Sequence, residues 1–409
     1  MSATMSRFAI ASPLAGGALH ALGSGLFHTL LPLRLLATGH TANDVGLVVA
    51  AEGAGFLIGC IFSSNLIRSV GEVRAYAAFA ALSAVMMLAF GFTNAISVLM
   101  LIQVVVGFVN AGQSIVIESW LNSMASNTGR GRILTLYVLV LGLFYGLGQL
   151  MAQPFDPAGD RLLMVAAGFY ALALVPVTAV WVGEPELHAP VGIHIWKALR
   201  TSPLGTFACL LTGLVSSTFS SIGPLWGQEL AFSQDKIVYL MASVQLGALF
   251  LQFPLGYLSD RLDRRLMMIW LSGGLALICL AFIFVNGATP VWLLLLMFSV
   301  FGGISEIFYP LGVAHANDRA APEEYVTLSS NLLLIWALGG TIGPALAGTG
   351  VEHFGAVSFF WYAIVLSLVF GGVAILRLIT RPPQKPREKF VAYAHSSPEI
   401  YEWKVNEEK

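Results

Sequence analysis

The stretch Gly256–Arg265, which reads Gly-Tyr-Leu-Ser-Asp-Arg-Leu-Asp-Arg-Arg, decides the fold of this chain. From Asp260 onward it carries five charges in six residues, between apolar runs that end near Leu258 and start near Leu266. A charge at the centre of a bilayer costs about 3 kcal/mol or more, and a stretch this short cannot form a domain. We therefore expect a tight polar turn that joins two membrane-spanning helices.

The composition of the whole chain indicates a polytopic membrane protein. Charged residues make up 11% of the 409 residues and hydrophobic residues 57%, whereas soluble domains contain roughly 25% charged residues. A water-soluble surface cannot be built from so few charges. The formal net charge of -1 argues against nucleic acid as a partner. Because only Arg7 precedes a first apolar run longer than a signal-peptide core, no cleavable signal is predicted.

Twelve apolar runs have about the 20 residues that a spanning helix needs, so the predicted fold class is all-α with twelve transmembrane helices. The predicted domains are an N-terminal six-helix half (1–182), a cytoplasmic linker (183–203), a C-terminal six-helix half (204–378) and a cytoplasmic tail (379–409) of low order. The runs lie near 14–37, 43–66, 74–93, 96–121, 132–152, 161–182, 204–227, 236–258, 266–285, 290–313, 326–348 and 356–377.

The distribution of Lys and Arg predicts the orientation. With the N-terminus inside, eighteen of these residues fall on the cytoplasmic side and three, Arg34, Arg161 and Lys236, on the other. Basic residues collect on the cytoplasmic side of membrane proteins, so we expect both termini to be cytoplasmic. Arg34 and Glu229 lie close to span ends, where we expect them to extend toward the membrane interface.

The chain also repeats itself. Matches recur at nearly constant offsets, including at turns, where composition is not apolar and chance similarity between apolar segments is a weaker explanation. Two parallel six-helix repeats are therefore predicted. The matched positions are Pro32 with Pro224 at an offset of 192, and Asn65 with Asp260 and Gly148 with Gly343 at an offset of 195.

The charged turn resembles the signature loop of the major facilitator superfamily, although that family's usual glycine is Asp263 here. Asp is one of the few residues that tolerates the left-handed backbone region expected for this glycine. The chain most resembles the YcaD-like branch of uncharacterised bacterial transporters, and the resemblance covers residues 14–378. It implies a monomeric secondary transporter in the bacterial inner membrane that moves a small molecule by alternating access. The other stretches that carry it are Val116–Leu121, Gly129–Arg132, Gly146–Gln149, Phe253–Gly256 and Phe308–Pro310.

Three departures from the family pattern leave the direction of transport open. Asn65 stands in the first-half loop where the family has Asp. Gln103 stands four residues before Gly107, where many proton-coupled members have Arg. The fifth span offers Gly148-Gln149 in place of the Gly-Pro motif of antiporters. These differences weaken the interpretation as a drug/proton antiporter and leave that of a transporter intact.

The polar residues sort among the spans as a central cavity requires. The resemblance implies that the third, sixth, ninth and twelfth spans face lipid and that the other eight line a cavity. Apart from tyrosines, the third, sixth, ninth and twelfth spans contain no ionisable residue in their interiors. Buried ionisable groups should face protein or water, so the sorting supports a cavity between the two halves.

Three residues are candidates for proton coupling: Glu52, Glu306 and His28. Glu52 and Glu306 lie well inside their spans, where an ionised carboxylate is costly unless water or a cation reaches it. His28 changes charge near neutral pH if water reaches it. The alternative for each is a purely structural hydrogen bond between helices. The sequence alone does not decide between the coupling role and the structural role.

The signature loops and their surroundings are predicted to form a gate at the cytoplasmic side. Glu118, about a turn from the cytoplasmic end of the fourth span, either carries a proton or holds a basic residue of the inner loops. The stretch 316–319, which ends the tenth span, could do the same in the second half. The gating candidates are Asp260, Arg261, Arg264, Arg265, Asn65, Arg68, Glu118 and Arg132.

Aromatic and amide side chains in the cavity-facing spans are candidates for substrate contacts. No basic cluster lies at midplane, which disfavours large anionic substrates and leaves small neutral, zwitterionic or cationic amphiphiles. The candidates are Gln113, Tyr137, Tyr145, Gln149, Gln245, Tyr309, Asn331 and Trp336.

Two other classes of membrane protein are alternatives to a transporter: an enzyme and a sensor. A membrane enzyme would need a nucleophile, metal cluster or acid–base pair at one depth, but the eight histidines are scattered, and Cys60, Cys209 and Cys279 lie in apolar runs as packing residues. We expect no enzyme activity, metal or cofactor. A non-transporting membrane sensor that keeps the fold stays open, with a basic tail that could dock a cytoplasmic partner or anionic lipid.

Overall fold

The computed structural model describes residues 3–124, 130–179, 193–321 and 324–380, and the regular structure in these ranges is helical throughout. A π-helical turn, Gly213–Ser217, joins α8 and α9 into one seventh span, Pro203–Glu229. The helices are α1 (Ala3–Ala37), α2 (Ala42–Val70), α3 (Glu72–Phe90), α4 (Ile96–Met124), α5 (Arg130–Leu150), α6 (Arg161–Ala179), α7 (Ile195–Thr201), α8 (Pro203–Thr212), α9 (Thr218–Glu229), α10 (Gln234–Ser259), α11 (Arg264–Ile283), α12 (Val291–Asn317), α13 (Tyr325–Phe354) and α14 (Ser358–Thr380).

The predicted spans agree with these helices. In the described ranges, eleven helices are long and apolar enough to cross a membrane, and Thr135–Leu150 in α5 adds a shorter apolar stretch at the position of the fifth span. Large apolar side chains stay exposed on α3, α6, α11 and α14, for example Val85, Leu172, Trp270 and Val365. Exposed apolar surface of this extent is typical of helices that face a membrane. The prediction of an all-α polytopic membrane protein is confirmed.

The internal repeat is visible in how α2 packs on α4 and α10 on α12. A Cβ on Gly107 would lie 2.0 Å from the carbonyl oxygen of Glu52, and a Cβ on Gly302 would lie 2.1 Å from that of Val244. Only glycine permits such close backbone contact. Residues 107 and 302 are 195 apart, and residues 52 and 244 are 192 apart. These are the same two offsets that the sequence shows.

The same relation holds for the contact of α1 with α5 and of the seventh span with α13. Gly148 packs against the carbonyl of Leu22, where a Cβ would come within 2.2 Å of the oxygen. Gly343 packs against the carbonyl of Leu214, where the corresponding distance is 2.7 Å. The predicted match of Gly148 with Gly343 therefore corresponds to equivalent helix contacts in two repeats.

The two halves contact each other along α2 with α13, α5 with α10, and α1 with α9. We call the end of the bundle that carries residues 256–265 the signature end, and the end that carries residues 151–160 the opposite end. At the opposite end, Gln234 Nε2 donates to the carbonyl of Phe155 at 2.6 Å, and Thr349 Oγ1 donates to Asn43 Oδ1 at 3.1 Å. These contacts join the halves across the far side of the bundle from the charged turn.

The charged turn is built differently from the expectation for Asp263. This residue has φ −62° and ψ 119°, which is extended rather than left-handed, and its carboxylate caps α11 by accepting the backbone N–H of Arg265 at 2.9 Å. Partial burial alone would raise the pKa of Asp263, but hydrogen bonds from the side chain and backbone of Arg265 outweigh it and hold the pKa below its ordinary value. Asp263 therefore serves as an N-cap, and the left-handed expectation is wrong.

The first-half turn has a different length. Helix α2 continues to Val70, and Gly71 makes the turn with φ 89°, a backbone region that favours glycine. Asn65 is an exposed residue inside α2, whereas Asp260 follows the last residue of α10. At the structural offset of 192, Gly71 matches Asp263. The match of Asn65 with Asp260 is therefore corrected, because α2 extends past the position where α10 ends.

The side chains of Arg34 and Glu229 stabilise turns at the opposite end. Arg34 is only 5% exposed and donates to the carbonyl of Gly159 and to the carboxylate of Asp160, both at 2.9 Å, which agrees with an interfacial position at the end of its span. Glu229 is exposed, and its two carboxylate oxygens accept the backbone N–H of Ala356 at 2.9 and 3.0 Å. Each side chain fixes a turn of its own half.

Candidate functional site

A cavity of about 470 Å³ lies between the two halves. Its lining residues come from α1, α2, α4 and α5 in the first half and from the seventh span, α10, α12 and α13 in the second. Within the described residues, α3, α6, α11 and α14 contribute nothing to the lining. These four are the spans that the sequence assigns to the lipid face, so that sorting agrees with the structure.

Glu52 is the centre of a polar network in the first-half wall. Its Oε1 lies 3.0 Å from His28 Nε2 and accepts a hydrogen bond from Asn110 Nδ2 at 3.2 Å. Its Oε2 accepts one from Gln103 Nε2 at 3.3 Å. The side chains of His28 and Glu52 are 21% and 16% exposed, and both line the cavity. The carboxyl, on α2, thus has partners on α1 and α4, and it still faces the cavity.

The close packing of α2 on α4 brings these partners together. A Cβ on Gly55 would lie 2.0 Å from the carbonyl oxygen of Val104, and Gly107 contacts the carbonyl of Glu52. Because the two backbones touch, the side chains of Gln103 and Asn110 reach across to the Glu52 carboxyl. The glycines of this contact therefore position the network as well as the helices.

Helix α1 extends the network along the cavity wall. Tyr145 OH lies 3.4 Å from His28 Nδ1. Ser24 Oγ lies 3.4 Å from His20 Nε2 and 3.0 Å from Tyr170 OH. His20, Ser24 and His28 are spaced four residues apart, so they follow one face of the helix. The first-half wall therefore carries a continuous row of groups that donate and accept hydrogen bonds.

Among the described residues, the carboxyl that lines the second-half wall is that of Glu306 on α12. Ser216, in the seventh span, lines the same cavity, and its hydroxyl oxygen is buried. Phe301 and Trp336 line the cavity nearby, together with further serine hydroxyls on the seventh span and α12. All three proton-coupling candidates, Glu52, Glu306 and His28, thus face the same cavity.

Four of the eight predicted substrate contacts line the cavity: Tyr145, Gln149, Gln245 and Trp336. Tyr145 and Gln149 lie one turn apart on α5, and Gln245 lies on α10. The α5 and α10 helices approach closely here, since Gly146 faces the side chain of Gln245. These residues form the part of the wall where the halves meet.

The other four predicted contacts lie outside the lining. Gln113 points to α3 and donates to Ser83 Oγ at 3.2 Å. Tyr137 is buried and donates to Glu118 Oε1 at 3.0 Å.

Tyr309 lies one layer behind Trp336, with 6.4 Å between ring centroids, and Asn331 accepts the backbone N–H of His194 at 2.6 Å. All four are aromatic or amide side chains in the spans that the sequence assigns to the cavity. Depth is readable from the sequence, whereas the direction of a side chain around its helix depends on tertiary packing.

Some lining residues were missed by the sequence analysis. Asn110 lines the cavity and Gln103 is buried, and neither was predicted as a partner of Glu52. The serines Ser216, Ser217 and Ser220 were not singled out, although a run of hydroxyls in an otherwise apolar span is a readable signal. In the described residues, no group of three or more His, Cys, Asp or Glu side chains could hold a metal ion.

The charged turn and the end of α12 form one ion-pair cluster. Arg264, 3% exposed, places Nη2 3.6 Å from Asp260 Oδ1 and Nε 3.5 Å from Asp318 Oδ2. All three residues belong to the second half, so these two contacts tie α10, α11 and α12 together. The sequence-based hypothesis that the stretch 316–319 holds a basic residue agrees with this geometry.

The remaining gating candidates are dispersed over the signature end. Arg265 binds Asp263 at 2.7 Å and the carbonyl of Arg377 at 3.3 Å, while the guanidinium of Arg261 lies 4.2 Å from the ring centre of Tyr257. Asn65 and Arg68 are exposed on α2, and Glu118 is fully buried beside Tyr137. The side chain of Arg132 lies outside the described residues.

A buried carboxyl that the sequence analysis did not select lies at the start of α3. Glu72 is 1% exposed and accepts a hydrogen bond from Ser119 Oγ at 2.5 Å. Residues 72 and 264 are 192 apart, and each is the first residue of its helix. The two repeats therefore carry opposite charges at equivalent positions.

Comparison with known proteins gives consistent matches over most of the chain. A model of the Major Facilitator Superfamily matches residues 14–244 and 205–404. An uncharacterised MFS-type transporter YcaD of Shigella flexneri serotype 5b (strain 8401) is 25% identical over 352 residues, which is 83% of this chain and 88% of the relative. An uncharacterised MFS-type transporter of Enterobacter sp. (strain 638) is 24% identical over 375 residues, 91% and 96% of the two chains.

Solved structures share the fold. A variant of the nucleoside transporter NupG superposes with a TM-score of 0.78 at 13% identity, covering 90% of this chain and 100% of the other. A bacterial homologue of the human lysosomal transporter Spinster, in an inward-facing and occupied conformation, superposes with a TM-score of 0.77 at 14% identity, covering 93% and 98%. At these identities the likeness concerns the arrangement of helices.

Proposed function

The chain belongs to the Major Facilitator Superfamily, and we propose that it moves a small molecule across the bacterial inner membrane by alternating access, coupled to protons at Glu52 and His28. The observation that carries the proposal is the His28–Glu52 pair, 3.0 Å apart at the wall of the cavity between the halves. A titratable pair at this place can exchange a proton with whichever side the cavity opens to.

The chemistry of the pair suits proton binding and release. Gln103 and Asn110 present N–H groups to the carboxyl, whereas the imidazole of His28 is the partner that can bind or release a proton. An imidazolium next to a carboxylate has no net charge, and removal or addition of one proton leaves a net charge that the membrane disfavours. A proton or a substrate that neutralises this charge would therefore allow the cavity to close.

The architecture supports alternating access. Parallel repeats that enclose a central cavity can rock against each other around the site. The contacts between α2 and α13 involve small residues, since Gly46 packs on the carbonyl of Pro344 and Gly53 on that of Gly340. We propose that the cluster of Arg264 with Asp260 and Asp318 shapes the signature end during this movement.

The orientation and domain boundaries stay predictions. With both termini cytoplasmic, reporter fusions after Asp160 and after Leu199 should report opposite compartments. Fusions that report the same side would contradict the orientation and the span count.

The proposed activity is testable before the substrate is named. Purified protein in proteoliposomes is given a metabolite extract, with and without an imposed pH gradient, and vesicle contents are compared by mass spectrometry. We expect at least one compound to accumulate or be depleted only when the gradient is present. If its distribution is the same with and without a gradient, proton coupling is wrong, and if no compound enters or leaves, transport itself is contradicted.

A further inference from the structure

The second-half wall of the cavity differs in chemistry from the first-half wall. It presents the Glu306 carboxyl, serine hydroxyls of the seventh span and α12, and the aromatic rings of Phe219, Phe301 and Trp336. The hydroxyl of Ser216 and the carboxyl of Glu306 face the same cavity, so this wall combines polar and aromatic groups. Aromatic side chains and a few placed polar groups are the usual composition of a ligand site.

The charge of the lining is one-sided. Among the lining residues that the structure describes, Glu52 and Glu306 are acidic and none is Lys or Arg. The groups that could become cationic, His20 and His28, both lie on α1 in the first-half wall, where His28 contacts Glu52. An anionic ligand would find no fixed counter-charge on the second-half wall, whereas a cation would find one.

The neighbours of Glu306 also suit a cationic nitrogen. An ammonium group carries three N–H donors and no acceptor, so it needs several oxygen acceptors at once. The Glu306 carboxylate and hydroxyls of the same wall, such as those of Ser216 and Ser220, supply them. Aromatic faces such as that of Trp336 attract cations and pack on apolar groups. The cavity volume, about 470 Å³, is within the range of sites for small organic ligands.

We propose that the second-half wall binds the ammonium group of a monocationic amine with an aromatic or apolar body, with Glu306 as its counter-charge. This assignment rests on the proposed transport function and names its substrate class. It gives the two carboxyls separate tasks: Glu52 with His28 exchanges the proton, and Glu306 holds the substrate. Because the carboxyls face one cavity from opposite halves, a bound amine and a bound proton influence each other through the charge of that cavity.

The test is equilibrium binding of three matched radiolabelled probes to the purified full chain in detergent: 4-phenylbutylamine, 4-phenylbutanol and 4-phenylbutyrate. The probes share a ring and a four-carbon chain and differ in charge. Empty micelles and Glu352→Gln, an exposed carboxyl outside the cavity on α13, are the controls. We expect saturable binding of the amine that is about tenfold or more tighter than that of the alcohol or the acid.

The variants assign the contact. Glu306→Gln should weaken amine binding about tenfold or more, because it removes a charge-assisted hydrogen bond. Glu352→Gln should leave it unchanged, and Glu306→Asp should retain most of it. If Glu306→Gln elutes or melts as a misfolded protein, the comparison passes to Glu306→Asp and Ser216→Ala, where we expect retained and weakened binding, respectively.

Three outcomes would overturn the inference: no saturable binding of the amine, equal binding of amine and alcohol, or amine binding that Glu306→Gln leaves intact in a folded protein. None of these concerns the coupling role of Glu52, which is measured by gradient-driven flux. Conversely, amine binding that depends on Glu306 without any gradient-driven flux would preserve the site and contradict the proposed transport.

Discussion

The two halves of this protein share their backbone packing and differ in their chemistry. At the offsets of 192 and 195 defined by the glycine contacts, Glu52 corresponds to Val244 and Gln103 to Phe298. The first half uses this position for a network around a carboxyl. The second half has apolar and aromatic side chains at this level, for example Phe298, whose ring centroid lies 5.1 Å from that of Phe282. One scaffold therefore supports a polar core and an apolar core at equivalent positions.

The comparison extends to the ends of the helices, where equivalent positions in the two halves carry opposite charges. Glu72 and Arg264 both begin a helix after the turn, and both are nearly fully buried. Glu72 bonds Ser119 near the end of α4, whereas Arg264 pairs with Asp318 after α12. Such replacements indicate that packing of the backbone, and not a fixed set of ion pairs, defines this fold.

The largest effect is expected where the halves are most alike. Gly107→Val and Gly302→Val each place a side chain about 2 Å from a backbone carbonyl oxygen, so both should abolish folding. Gly168→Ala and Gly273→Ala, where a Cβ has no neighbour within 4 Å, are the matched controls. Yield of monodisperse protein and its melting temperature measure the effect. A tolerated change in one half only would break the equivalence of the two contacts.

The next effect concerns the chemistry that the second half lacks. Glu52→Gln keeps the shape of the side chain but cannot titrate, so gradient-driven accumulation should disappear while exchange or downhill flux stays measurable. With one coupled proton, a pH gradient of one unit can support about a tenfold ratio of substrate concentrations across the membrane. In Glu52→Gln this concentration ratio should fall to about one. Val244→Thr is the second-half control. Normal accumulation by Glu52→Gln in proteoliposomes would assign Glu52 to packing.

A smaller effect is expected at the turns. Asp260→Asn removes the charge that faces Arg264 and leaves a buried cation with one carboxylate fewer, so turnover should fall about tenfold with the fold retained. Asn65→Ala should do much less, because Asn65 is exposed inside α2. Accessibility of cysteines introduced at the signature end reports the conformational bias. Normal turnover together with unchanged accessibility in Asp260→Asn would remove the charged turn from the mechanism.

The smallest effect tests a single partner of Glu52. Asn110→Ser installs the residue found at the equivalent second-half position, Ser305, and removes one hydrogen bond to the carboxyl. A hydrogen bond contributes about 1 kcal/mol, so gradient-driven flux should fall about fivefold. The reverse change, Ser305→Asn, should leave coupling unaltered. Equal losses in both variants would mean that general packing at this level, and not the bond to Glu52, sets the rate.

Much of the candidate site was predictable because burial of charge in a membrane is so unfavourable. Glu52, His28 and Glu306 stand out in apolar runs, and all three line the cavity. Gln113 and Tyr137 do not line the cavity in this structure, since one bonds Ser83 and the other Glu118. The carboxyl of Glu72 was missed because it lies at a span end, where a charge reads as solvated.

The sequence by itself determined that the chain crosses a membrane, how many times, and that it does so as two repeats. These properties follow from the length of apolar runs and the cost of charge in hydrocarbon, both of which are local. Only the tertiary structure decided which polar groups meet. His28 and Glu52 are brought together by packing of α1 and α2, and Gln103 and Asn110 reach Glu52 because glycines let α4 touch α2. The direction of a side chain depends on how its helix is rotated about its own axis. Lipid is as apolar as the helix surface, so contacts between helices determine that rotation.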